Sequence, residues 1–123
     1  MDKIDLKNRT KKFAVETILF VNELPKSKAN DVISYQLIKS ATSVAANYRA
    51  SLRGRSSAEF ISKLNIVLEE SDESHFWFEI IEETNKNIDP ATFKTLLNES
   101  NELTAIFASS LKTARANTKN TKS

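Results

Sequence analysis

The chain has 123 residues, with 18 Lys and Arg against 16 Asp and Glu, one His, and no Cys. At 40% apolar residues and a mean hydropathy of −0.40 it is expected to form one soluble domain whose core needs no covalent staple. The missing cysteine excludes disulfides, thiolate metal sites and thiol nucleophiles. No apolar leader and no apolar run of ~20 residues is present, so a membrane span is excluded and a reducing cytoplasm is the expected location.

One Gly and two Pro leave little turn chemistry, so the expected class is all-α, an antiparallel up-down-up-down four-helix bundle over residues 1–116 with a disordered polar tail at 117–123. The first helix is expected from Asp5 to Leu24, stopped by Pro25, which cannot continue the hydrogen-bond ladder. Phe13, Thr17, Phe20, Val21 and Leu24 share one face, while Val15, Ile18 and Leu19 lie on the other side. A helix apolar nearly all round is buried on more than one side, and in so small a bundle the second side is expected to meet another subunit. Lys7, Arg9, Lys11 and Lys12 crowd its first turns, where the helix dipole disfavours cations; a solvated end is the expected explanation.

The second helix is expected to begin near Ser27 to Asn30, either residue serving as cap, and to run to Arg53. Leu37, Ala41, Val44, Tyr48 and Leu52 recur at helical spacing, with small residues between them that let neighbours approach closely. Gly54 is expected to end it with a positive φ. Ser56 and Glu59 have the capping-box spacing that opens the third helix, expected over Ser57 to Lys86, about 45 Å at 1.5 Å per residue. Phe60, Leu64, Val67, Ser71, Ser74, Phe78 and Ile81 form its core seam. Ile66, Trp77 and Ile80 form a separate stripe, read either as an association surface or as the rim of the core. Asp89 and Pro90 start the fourth helix, a cap followed by proline at the first helical position, with its end expected near Arg115.

No catalytic constellation emerges. His75 follows Asp72 at the spacing of di-iron bundles, but that site needs a second such motif and the chain has no second histidine. The carboxylates Glu69, Glu70, Asp72 and Glu73 read as a solvated face. There is no glycine loop for phosphates and no serine with a histidine and acid around it, so neither enzyme activity, cofactor nor metal is expected. What remains is a basic cluster of Arg49, Arg53, Arg55 and Lys63, able to contact phosphate backbone by charge. The competing reading pairs the arginines with Glu59, Glu70 or Glu73. Charge is segregated along the chain: residues 59–90 hold nine acidic and two basic groups, and the other three quarters are net basic.

Three blocks carry a resemblance. Ser40-Ala-Thr-Ser-Val-Ala-Ala-Asn-Tyr-Arg49, then Arg53-Gly-Arg-Ser-Ser-Ala-Glu-Phe-Ile-Ser-Lys-Leu64, then Glu70-Ser-Asp-Glu-Ser-His-Phe-Trp77 closely resemble the four-helix-bundle proteins encoded in bacterial 23S ribosomal RNA intervening sequences. The likeness extends from about Leu6 to Arg115. It implies a ring-shaped homopentamer and a relation to the accessory protein of diversity-generating retroelements, a basic pentamer that binds nucleic acid and a reverse transcriptase. Relatives commonly have Gly in place of Ala45 and Glu in place of Ala50; without that acid the arginine cluster is less neutralised. The expected function is thus a homo-oligomer, pentameric by resemblance, that binds RNA or DNA backbone through Arg49, Arg53, Arg55 and Lys63, with Ile18, Leu19, Ile66, Trp77 and Ile80 at the oligomer interface. The alternative is a structural or protein-binding scaffold.

Overall fold

The structure, a computed structural model, describes residues 2–122, with side chains as far as Thr118. It contains α1 (Lys3–Asn22), α2 (Lys28–Ser51), α3 (Ser57–Thr84) and α4 (Pro90–Lys122), with no strand among the described residues. Each helix starts where a side-chain oxygen accepts a backbone N–H that the helix itself leaves unpaired. Asp2, Ser27, Ser56 and Asp89 accept from Asp5, Asn30, Glu59 and Thr92 respectively. The Asp2 cap moves the start of α1 ahead of the expected Asp5.

Three expectations at helix ends are corrected. Gly54 does not adopt a positive φ. The end of α2 instead tightens through successive bonds from Leu52, Arg53 and Gly54 N–H to Tyr48, Ala50 and Ser51 carbonyls. Glycine serves there because an added Cβ would lie 3.2 Å from both Phe60 N and Ser51 O, so the α2–α3 turn packs backbone against backbone. The capping box is also displaced: Ser56 Oγ accepts from Glu59 N–H, but the Glu59 carboxylate reaches back to the Arg55 N–H at 2.7 Å. Finally α4 runs on to Lys122, past the end expected at Arg115, with no Gly or Pro to stop it.

The helices alternate in direction. Asn30 at the start of α2 exchanges side-chain amide bonds of 2.9 and 3.1 Å with Asn85 at the end of α3. Phe20 near the end of α1 meets Phe93 near the start of α4, ring centroids 6.0 Å apart. The core seam expected in α3 is the one buried, from Leu64 to Ile81, with Phe60 half-buried at its edge. Phe78 is its hub, wholly buried and 6.2 Å from each of Phe13, Phe20 and Phe93. At mid-bundle the core is polar and thin. Ser40 and Ser74 share a bond of 2.8 Å between α2 and α3, and Ser71 and Thr104 one of 2.9 Å between α3 and α4. Hydroxyls that satisfy one another let the backbones close in without an orphaned polar group.

Candidate nucleic-acid interface

Alternation of direction brings the start of α1, the end of α2, the start of α3 and the end of α4 to one end of the bundle. Cut at the level of the Ser71–Thr104 bond, the segments on that side, residues 2–8, 46–68 and 105–118, carry eight basic and three acidic groups. The segments on the other side, 9–45 and 69–104, carry eight basic and thirteen acidic ones, Arg9 lying there with Glu99 and Glu102. The segregation seen along the chain therefore becomes a polarity from end to end of the molecule, with the cluster of Arg49, Arg53, Arg55 and Lys63 at the basic pole.

All four side chains are exposed. Arg49 lies in the last turn of α2, where a cation suits the helix dipole. Arg53 and Arg55 flank Gly54 in the turn. The Arg55 guanidinium is 3.6 Å from Glu59, but both groups are exposed, so the pair contributes little, well under about 1 kcal/mol. Arg49, Arg53 and Lys63 make no ion pair among the described residues. Nearby, Lys3 sits 5.0 Å from the Phe60 ring centroid, adding a further cation to this pole.

Of the acids offered as internal partners, Glu59 takes Arg55, and the other two are engaged elsewhere. Glu73 accepts from Trp77 Nε1 at 3.3 Å. Glu70 is partly buried beside Glu73 and Glu69, with Lys39 as the cation that offsets them. Burial first, then Glu73, pushes its carboxyl above the usual carboxylate range, Lys39 opposing. The folded chain therefore holds the Glu70 proton more tightly than the unfolded chain does. Its stabilising share is present below the ordinary carboxylate range and is lost as pH rises through the raised folded value. Glu70→Gln is accordingly expected to raise the melting temperature at neutral pH and to leave it unchanged near about pH 3, which calorimetry at the two pH values checks.

Arg9 departs from the expected solvated end. Its Nε and Nη2 donate to the two oxygens of Glu99, both at 2.7 Å, and Nη2 also lies 2.9 Å from Glu102. These bonds to Glu99 hold the guanidinium firmly charged against the burial that disfavours it. Lys7 and Lys11 do remain exposed. His75 is half-buried and bonds Ser100 through Nδ1 at 2.8 Å, which accounts for it as a link between α3 and α4. Among the described residues no three His, Asp or Glu side chains gather into a metal-holding group, and no helix is long and apolar enough to cross a membrane.

The residues expected at an oligomer interface fall into two sets. Trp77 and Ile80 are half-buried against the core of their own bundle, and Trp77 also stacks edge-on with Phe76 at 5.0 Å. Ile66 and Ile18 are half-buried, whereas Leu19 is 61% exposed. Sequence reasoning missed Ile4, Val32, Tyr35 and Phe76, all exposed. The step from Val32 to Tyr35 is a helical one and falls outside the Ile33 and Leu37 face, a signal that periodicity does contain.

A family model described as 23S rRNA-intervening sequence protein matches residues 2–109. A crystal structure of a protein with unknown function from the S23 ribosomal protein family of Bacteroides thetaiotaomicron VPI-5482 is similar throughout, at 31% identity and a TM-score of 0.80. The likeness covers 91% of this chain and 99% of that one. No curated protein matches the chain.

Proposed function

Since the chain belongs to the 23S rRNA-intervening sequence protein family, we propose that it is a non-enzymatic, cytoplasmic, self-associating bundle that binds RNA or DNA backbone through its basic pole. The observation that carries this reading is the state of Arg49, Arg53 and Lys63, three exposed cations at one end of the molecule without a carboxylate partner among the described residues. Such cations release condensed counterions when they meet phosphates and read no base sequence. Arg55 joins them at small cost, because its surface pair with Glu59 is readily exchanged for a phosphate. Association of copies, five by family resemblance, multiplies a weak site by raising its effective concentration. Leu19 at 61% exposure and Val15 at 47% supply apolar surface for it.

The test is titration of fluorescent RNA and DNA of mixed sequence at rising salt. Affinity is expected to fall steeply with salt and to depend little on sequence. Arg53→Ala combined with Arg55→Ala is expected to reduce the slope of log affinity against log salt by about 2, close to one for each lost phosphate contact. Binding that ignores salt, or that survives the double substitution with its slope intact, overturns the nucleic-acid reading and leaves a protein-binding scaffold.

A further inference from the structure

The cations at the start of α1 have different fates. Arg9 is clamped by α4, Lys3 covers Phe60, and Lys12 comes within 3.9 Å of Glu16. Lys7 and Lys11 are exposed and have no ion pair among the described residues. With Ile4, itself 69% exposed, they fall at i, i+3 and i+7, on one face of the helix. This face is an apolar knob followed along the helix by two cations.

The far end of the same helix holds a surface of the opposite character. α1 meets α4 over only a short stretch, and near the end of α1 the two leave a groove of about 680 Å³. Leu19, Ile88 and Leu96 give it apolar lining, and Glu16, Glu23 and Asp89 line it as well. The groove lies in the acidic half of the molecule, and Ile4 and Lys7 lie in the basic half.

We propose that the groove seats the first turns of α1 from a second copy, with Ile4 against Leu19, Ile88 and Leu96, and Lys7 and Lys11 facing Glu16, Glu23 and Asp89. Charge complementarity selects this occupant: one chain carries both an apolar knob followed by cations and an acid-lined apolar groove. The contact repeats from copy to copy and forms a ring if the rotation closes, or ends in a two-fold pair if each copy's knob enters the other's groove. Arg53 and Arg55 lie outside it, in the α2–α3 turn. The proposal rests on the association half of the reading above and is independent of its nucleic-acid half.

Two charge-reversal variants test it, Lys7→Glu with Lys11→Glu and Glu16→Lys with Glu23→Lys. Native mass spectrometry and light scattering at low salt read the association, and circular dichroism confirms that each variant is folded. Each variant alone is expected to associate about tenfold or more weakly than the wild type, because like charges then face each other. An equimolar mixture of the two is expected to recover association in pairs and other even-numbered species, since every matching contact joins one variant to the other. A monomeric wild type overturns both this interface and the association reading. An associating wild type whose variants are unchanged overturns this interface alone. Weakened variants that the mixture does not rescue also overturn it.

Discussion

Phe78→Ala is expected to destabilise the fold by about 3–5 kcal/mol, read as a lower urea midpoint with an unchanged slope. The side chain is wholly buried, and its ring neighbours Phe13, Phe20 and Phe93 belong to α1 and α4. Each of those helices is held elsewhere by its own contacts, so the walls of the new cavity cannot all collapse into it. Residual cavity is what raises the cost of a large-to-small substitution above the transfer term alone. Against a total stability on the order of 5–15 kcal/mol the loss is a large fraction. Phe76→Ala is the control: two residues away, 48% exposed, it removes a ring that the core does not use and is expected to cost less than about 1 kcal/mol. Equal effects for the two substitutions would mean that the phenyl cluster is not where the bundle is held.

Local chemistry made much of this fold legible in the sequence. Ser27, Ser56, Asp89 and Pro90 mark helix starts because capping depends on one residue and its neighbours, and the α3 seam follows from a period that packing obeys. The misses arise where the third dimension decides. Gly54 is needed for a close approach between two backbones, a distance that no local rule encodes. Glu59 turns to the Arg55 N–H, one residue from the expected partner, a choice that the Ser-x-x-Glu spacing does not encode.

The candidate site was legible as a list of cations and illegible as a surface. Arg49, Arg53, Arg55 and Lys63 could be named from spacing, but whether acids neutralise them depends on which helix faces which. The bundle places Glu70 near Lys39 and gives Glu73 to Trp77, leaving Arg49 and Arg53 open. Trp77 and Ile80 illustrate the reverse case: the stripe was visible, yet only packing shows that these two side chains lie against their own core. The acid-lined groove had no sequence signal, since it joins the end of α1 to the start of α4 across most of the chain.

Arg9→Ala is expected to cost about 2 kcal/mol of stability, the range for hydrogen bonds to charged groups. The clamp reaches Glu99 across 90 positions of sequence and crosses the seam between α1 and α4, the thinnest of the bundle. The side chains of Arg9 and Glu99 are 18% and 25% exposed, so the pair is neither freely solvated nor deeply buried, and its worth lies above that of a surface ion pair. Arg9→Lys preserves the charge but not the planar fork that meets both carboxylate oxygens, and is expected to recover only part of the loss. A double-mutant cycle of Arg9→Ala with Glu99→Gln isolates the pair, with a coupling of about 1–2 kcal/mol expected in urea unfolding. If the coupling is near zero, α1 is held to α4 by apolar contacts alone. The groove at the far end of that seam would then open and close with α1, and a rigid seat for a second copy would lose its support.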